Sequence, residues 1–451
     1  MPSKILAARP QVANIPKDFV RGVILLAVTQ RCLIVFVMVS LFLNLETHAL
    51  EDISLLPKGV RALMYRQGVI SEIGNKYSSN YQLGSIQYRM SRRIDAKMIQ
   101  QINEEFVELV KIMNNEFPDY NLGDKVYLGD LILDGDPRID FKAPILAYGV
   151  TNSYTLAVAV PIVDFQAKIS ARHTGQYNIE QIKAAMPSTY SSYRGDSYNF
   201  SARLEDAYRQ LQDSANLTAK VSELCRDKNL KCLGEERESS IGDIQLVNRF
   251  LLYEDPKWAF MYRAHINLPT GPEDDPNNLL DLPVFHRTFI DHAFVSRYTY
   301  KDFKFHNALA YVMQVPDRVN KRVPESENDI LPDEDRTENL QRKIGDSLKY
   351  EFNSFYQINP DLSLGAGFTK EWKSKDSYRG SYEDRNYSLL SRNTSVESLK
   401  FQGTLSYSTV DRFLRKKFPI PLSLSYSYSD LVSGKNVERQ LTHELNLAVM
   451  F

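Results

Sequence analysis

Leu441-Thr442-His443-Glu444-Leu445-Asn446-Leu447-Ala448-Val449-Met450-Phe451 closes the chain. Leu441, His443, Leu445, Leu447, Val449 and Phe451 share one side of an extended backbone; Thr442, Glu444, Asn446, Ala448 and Met450 share the other. Period two over this length predicts a strand with two unlike faces. The same pattern recurs going backwards. Leu422, Leu424, Tyr426 and Tyr428 alternate with serines, and Leu399, Phe401, Gly403, Leu405 and Tyr407 oppose Lys400, Gln402, Thr404 and Ser406. Leu362, Leu364, Ala366 and Phe368 oppose Ser363, Gly365, Gly367 and Thr369, and Leu348, Tyr350, Phe352, Tyr356 and Ile358 oppose Lys349, Glu351, Asn353 and Gln357. Each run reaches the roughly 9–11 residues that cross a bilayer as a tilted strand. A soluble sandwich has shorter strands with Val/Ile-rich inner faces. Here the apolar face is Tyr, Phe and Leu.

Connector lengths give an independent test. Predicted strands at 344–358, 361–375, 395–410, 419–431 and 438–451 continue upstream as 139–150, 155–170, 241–253, 258–268, 286–298 and 303–315. Short turns at 151–154, 254–257 and 299–302 alternate with long connectors at 171–240, 269–285 and 316–343. Outer-membrane barrels place short turns on the periplasmic side and long loops outside. The reading is all-β: an antiparallel transmembrane β-barrel. An even count takes a twelfth strand from 60–73 or 77–90, or fourteen if both pair and 125–134 joins them. Inserts near 91–125 and 171–240 are expected in external loops. Apolar residues at helical spacing over 94–117, from Ile94 and Met98 to Met113 and Phe117, and a weaker pattern over 201–224 predict helices in them.

Composition agrees once the barrel is considered. The 451 residues carry 55 Lys/Arg against 56 Asp/Glu, which gives no electrostatic case for a nucleic-acid partner. Mean hydropathy is −0.36, yet 26 Tyr and 22 Phe stand beside only 2 Trp. A wall that is half apolar has this average. Residues 22–45 hold the one long apolar stretch, interrupted by Gln30 and Arg31 and followed by Thr47 and Ala49 at the −3 and −1 positions of a cut. The expectation is a cleaved signal over 1–49, with a true start near Val28, and a single barrel domain over 50–451. Cleavage removes Cys32, leaving Cys225 and Cys232 as a disulfide candidate in an oxidising compartment.

Chemistry-bearing motifs are few. His286, Asp291, His292 and Ser296 cluster in sequence, but no nucleophile elbow or zinc-helix motif accompanies them. The acidic run 323–336 lacks the glycine of a calcium loop. No enzyme activity, cofactor or metal is expected. Around Pro161 the apolar positions are even before it (Leu156, Val158, Val160) and odd after it (Phe165, Ala167, Ile169). An extra residue, hence a bulge, is expected at Pro161. Val160, Pro161 and Ile162 become the candidate for a sideways opening in the wall.

Ala147-Tyr148-Gly149-Val150-Thr151-Asn152-Ser153-Tyr154-Thr155-Leu156-Ala157-Val158-Ala159-Val160-Pro161 resembles a turn-and-strand signature of outer-membrane proteins assigned to the meta-pathway of phenol degradation. Gly242-Asp243-Ile244-Gln245-Leu246 with Ile266-Asn267-Leu268-Pro269-Thr270-Gly271 resembles that family's second signature. The family is similar to FadL/TodX-type transporters. The resemblance implies a channel for hydrophobic or aromatic small molecules, with motif residues Tyr148, Gly149, Thr151, Gly242, Asp243, Pro269, Thr270 and Gly271. It implies lateral release at a kink in the third strand, which by this count carries Pro161. The implied partners are the lipid bilayer, lipopolysaccharide, a hydrophobic substrate and the barrel assembly machinery, which would read Leu447, Val449 and Phe451. General diffusion porin, structural surface protein and lipid hydrolase are the rival readings.

Overall fold

The computed structural model describes residues 55–85, 92–95, 125–135, 137–175, 214–231, 233–278, 286–325 and 332–451, with a few isolated positions between. The predicted signal over 1–49 lies outside the described residues, as does most of 94–117.

Twelve antiparallel strands close into a barrel: β1 Arg61–Ser71, β2 Arg138–Thr151, β3 Tyr154–Ala159, β4 Gln245–Glu254, β5 Trp258–Asn267, β6 Phe289–Tyr300, β7 Phe303–Gln314, β8 Ser347–Asn359, β9 Leu362–Lys373, β10 Val396–Ser408, β11 Leu422–Lys435 and β12 Leu441–Met450. Each pairs with its sequence neighbours, and β1 closes the ring on β12, from Ala62↔Met450 to Ser71↔Leu441. The twelfth strand is the 60–73 candidate. Closure leaves no unpaired edge, which a bilayer requires of a sheet.

Alternation sets the two faces. Leu63, Leu146, Leu252, Phe294, Leu364, Phe401, Leu405 and Leu445 are exposed on the outside. Tyr148, Tyr253, Trp258, Tyr300, Phe303 and Tyr356 are exposed beside the short turns, where a girdle of interfacial aromatics belongs. Facing rings overlap from strand to strand: Tyr154 stacks on Phe250 at 4.4 Å, and Phe260 on Phe294 at 5.8 Å. Short turns and both ends of the ring lie at one rim, the terminal rim. The long connectors lie at the other, the loop rim.

The loop rim carries its own structure. Asp317–Arg322, Thr337–Lys343 and Ser377–Arg379 form a small sheet. Arg322 donates to the carbonyls of Lys228, Asn229 and Pro332 and to Asn277 Oδ1, tying three connectors together. The helix predicted over 201–224 is observed as α1, Ser214–Asp227. Its Thr218 hydroxyl bonds both backbone groups of Ala171. Cys225 of α1 is buried and disulfide-bonded; the other cysteines, Cys32 and Cys232, lie outside the described residues. Of the helix predicted over 94–117, Ile94 stands in a strand, Arg92–Asp95, while Lys111, Asn114 and Asn115 are helical.

Candidate functional site: the lumen and the break in the wall

The lumen is lined by one residue in two from each strand. Near the terminal rim it is apolar: Ala259, Met261, Ala293, Val295, Ala308 and Ala310 pack together from β5, β6 and β7. Leu55, from the segment before β1, packs on this cluster and so lies inside the barrel. The segment is held along β2 and β3. Leu56 N–H donates to Thr155 Oγ1 at 3.0 Å, Gly59 N–H to the Gly149 carbonyl at 2.8 Å, and Gly149 N–H to the Val60 carbonyl at 2.9 Å. Gly149 is required there, because a Cβ would sit 2.1 Å from the Pro57 carbonyl oxygen.

Next to this cluster the lumen is polar and charged. Arg263 and Asp291 form an ion pair at 3.1 Å with side chains 2% and 1% exposed. Asn353 accepts from Gln402 at 2.8 Å, and Thr404 bonds Ser427 at 2.9 Å. Thr369, Ser398 and Glu351 are also withdrawn from water. A cavity of about 10 Å³ remains beside His306, Glu351 and Asn353, room for about one water. A buried ion pair survives only with both partners present, since either charge alone is stranded in low dielectric. The sequence reading does not single out Arg263, and its pairing with Asp291 needs the β5–β6 register, Arg263↔Ala293 and His265↔Asp291.

Pro161 overturns an expectation. The pairing with β2 runs through it without a slip: Ile145↔Ala159 above it and Lys142↔Ile162 below it keep one register. Beyond Pro161 the strand continues as Ile162–Thr174, paired to β2 and to Gly234–Ile241. Thr155, Ala159, Val163, Phe165 and Ala167 are all buried, so the odd positions face in throughout. What changes beyond Pro161 is the outside, from Leu156, Val158, Val160 and Ile162 to Asp164, Gln166 and Lys168. The strand leaves the apolar zone, and its facing stays the same. The bulge lies on the neighbouring strand: Ala159↔Gln245 and Ile162↔Ile241 set Val160 and Pro161 against Gly242, Asp243 and Ile244. The backbone is bonded on both sides, Val160 N–H to the Pro144 carbonyl at 3.1 Å and Gly242 N–H to the Pro161 carbonyl at 2.8 Å.

The bulge gathers most of the second signature. Asp243 is 4% exposed. Its Oδ1 accepts from Gly271 N–H at 2.8 Å and His286 N–H at 3.0 Å; its Oδ2 accepts from Asn267 Nδ2 at 2.8 Å and Arg287 N–H at 3.1 Å. The Thr270 hydroxyl accepts from Ile244 N–H and donates to the Gly242 carbonyl. Gly242, Asp243, Thr270 and Gly271 therefore meet beside Pro161. Pro269 is next in chain to this knot. Tyr148, Gly149 and Thr151 stand apart from it, by the turn at the terminal rim. His286, with φ +55°, is held by the knot, its Nδ1 3.1 Å from the Gly271 carbonyl oxygen. His292 faces outward, 2.5 Å from the Tyr262 hydroxyl, while Asp291 faces inward. The two sides of the wall thus separate the acid and the histidine that a triad would join. No group of three or more His, Cys, Asp or Glu placed to hold a metal occurs among the described residues.

Burial at the loop rim shifts two groups. Tyr378 is pushed up to about 12 by burial, with Asp376 adding and Arg342 and Arg287 opposing. Burial, and then the charge of Arg342, lowers Arg287 below the usual arginine range.

No protein-family model and no curated protein sequence matches the chain. Solved structures do. An outer membrane channel from Pseudomonas putida F1 aligns with a TM-score of 0.49 and 11% identity, over 90% of this chain and 100% of that one. The translocator domain of the autotransporter NalP from Neisseria meningitidis aligns with a TM-score of 0.34 and 8% identity, over 88% and 90%. The P. putida toluene transporter TodX aligns with a TM-score of 0.28 and 8% identity, over 88% and 90%. Channels and autotransporter domains stand together among these matches, and the fold assignment rests on the strand pairings above.

Proposed function

We propose that the chain is an outer-membrane channel for hydrophobic or aromatic small molecules. The observation that carries this reading is the closed axis: Met261, Arg263, Asp291, Ala310, Thr369 and Ser398 line the lumen and are all withdrawn from water. A general diffusion porin needs an open aqueous bore at this level. Apolar solutes are held back by lipopolysaccharide and gain nothing from water in a pore, so a route with little bulk water suits them. The outward apolar band and its girdle support a place in the bilayer. In this reading the terminal rim is periplasmic, the loop rim faces lipopolysaccharide, and Leu447, Val449 and Phe451 are the residues offered to the assembly machinery. Val160, Pro161 and Ile162 remain the proposed sideways exit. Pro144 and Pro161 support it, because each removes a backbone donor from adjacent strands at nearly one level.

Two measurements test the proposal. In planar bilayers the protein is expected to show no large steady conductance, and in vesicles it speeds entry of a monoaromatic hydrocarbon. A steady porin-like current, or entry no faster than in empty vesicles, would overturn it. For the exit, a disulfide between Pro144→Cys and Val160→Cys is expected to block hydrocarbon entry reversibly, and unchanged entry in the oxidised pair removes the exit from this place.

A further inference from the structure

Four connectors at the terminal rim are tight: 152–153, 255–257, 301–302 and 360–361. The fifth, 409–421, is Thr-Val-Asp-Arg-Phe-Leu-Arg-Lys-Lys-Phe-Pro-Ile-Pro, and it combines cations with apolar side chains. Leu414 is 70% exposed, and Ile420 and Phe413 are also exposed. Arg415, Lys416 and Lys417 follow Leu414 directly, all exposed. Among the described residues Lys416 and Lys417 have no acidic partner, and Arg415 has only Asp411, itself exposed, at 3.6 Å. Such a surface pair is worth little.

The connector is nonetheless built. Thr409 is fully buried; its hydroxyl donates to the Ile420 carbonyl at 2.7 Å and accepts from Leu422 N–H at 3.0 Å, cinching the two ends. Val410–Leu414 form one helical turn, and Lys417 N–H donates to the Arg412 carbonyl at 2.7 Å. Arg412 is spent on structure: it pairs with Asp361 at 2.6 Å, donates to the Tyr407 hydroxyl and lies over the Phe418 ring. A packed turn that leaves Leu414 bare is not explained by folding. The same rim carries exposed cations in other turns, Lys257 and Lys301, together with the aromatic girdle.

We propose that the connector 409–421 is an interfacial anchor for an anionic phospholipid surface. Leu414, Phe413 and Ile420 enter the acyl boundary, and Arg415, Lys416 and Lys417 meet the phosphates. Apolar side chains beside cations are the composition of segments that lie in a membrane interface. The connector joins β10 and β11, whose outward Leu405 and Leu424 belong to the apolar band, so anchor and band form one surface. The inference rests on the membrane reading above, and its test separates the two.

The test uses the full-length protein in bilayers with and without phosphatidylglycerol, carrying an environment-sensitive label at Leu414→Cys. A second label at Leu405→Cys, on the barrel wall, reports the membrane reading alone. The Leu405 label should be quenched by a lipid-soluble quencher in both bilayers. The Leu414 label should be quenched far more with phosphatidylglycerol than without. Each cation near an anionic surface changes partition by about fivefold, so K416E/K417E should weaken that preference roughly tenfold or more, and high salt should weaken it too. A Leu414 label that stays in water in both bilayers, or is quenched equally in both, overturns the anchor. A Leu405 label found in water overturns the membrane reading and the anchor with it.

Discussion

The wall from β8 to β10 and the wall around Pro161 are built from the same alternating pattern and behave differently. Between β8 and β9, and between β9 and β10, the ladder holds one register through the middle of the wall, from Phe352↔Phe368 to Phe368↔Phe401. Outward residues through that middle include Phe352, Leu364, Ala366, Phe368, Phe401 and Leu405, with Ser354 the polar exception. Around Pro161 inward facing persists, but the outer side turns polar within a few residues and the partner strand carries a bulge. Two signals are thus superposed in any strand. Period two reports which way a side chain faces, and side-chain chemistry reports what it faces. When a strand outruns the apolar zone the second signal changes while the first does not. A single strand, read alone, also cannot say which of two neighbours holds an extra residue.

The largest expected effect lies at the bulge. Asp243→Ala removes the acceptor of four N–H donors, two buried and two half-buried, and at roughly 1 kcal/mol for each the cost is up to about 4 kcal/mol. In the uninterrupted wall Thr404→Ala removes one bond to Ser427, for about 1 kcal/mol. Urea unfolding in lipid, followed by the loss of the compact form on unheated gels, gives both values. Equal losses would show that the bulge is no more demanding than the regular wall.

Proline substitution is the next largest. Phe352→Pro removes a central rung and should cost about 3 kcal/mol. Pro161→Ala should change stability by less than about 1 kcal/mol, because the chain there already passes without that donor. The same unfolding assay reads both, and a large loss from Pro161→Ala would restore a special local geometry to this residue.

Glycines sharpen the contrast further. Gly149→Ala drives a Cβ into the Pro57 carbonyl and should cost about 1–3 kcal/mol. It should also make a cysteine placed at Leu55 react faster with a water-soluble thiol reagent. Gly403→Ala meets nothing closer than 4.0 Å and should be within about 1 kcal/mol of neutral. Unchanged reactivity at position 55 would mean that the segment before β1 is not held by Gly149.

The smallest effect belongs to the loop rim. The Tyr378 value of about 12 is above that of an ordinary tyrosine. The folded state therefore favours the neutral phenol, and the stabilisation is fully present below about pH 10 and lost as pH rises toward 12. An ultraviolet titration of the folded protein should show a late tyrosine step that Tyr378→Phe abolishes. A titration curve unaltered by that substitution would contradict burial at this site.

Eleven strands were legible because facing repeats in every one of them, and connector lengths fixed their sense; the twelfth stayed open between 60–73 and 77–90 because which of them closes the ring is a matter of pairing. Strand ends were harder. The predicted 419–431 begins inside the cinched connector, where Pro419, Ile420 and Pro421 imitate an apolar strand start. The Arg263–Asp291 pair was hidden because it depends on register between strands, which one sequence does not show. Asp243 came to notice only through a resemblance. Its role was invisible because its partners lie 24 to 44 residues downstream, three of the four on backbone nitrogens. The parity change at Pro161 was real as a pattern of letters and was assigned to geometry when it belonged to solvent.

Asp243 also sets the freedom of a loop that it does not belong to. Gly271 and His286 both give their backbone N–H to the same carboxylate oxygen. The stretch between them is therefore a closed cassette whose two ends are clamped from outside. With the ends fixed, lengthening the stretch costs only slowly more. The clamp does for this loop what a cross-link would do, without oxidation and without a second cysteine. It makes the stretch between Gly271 and His286 a site where the chain can accept new sequence while the wall beneath keeps its register.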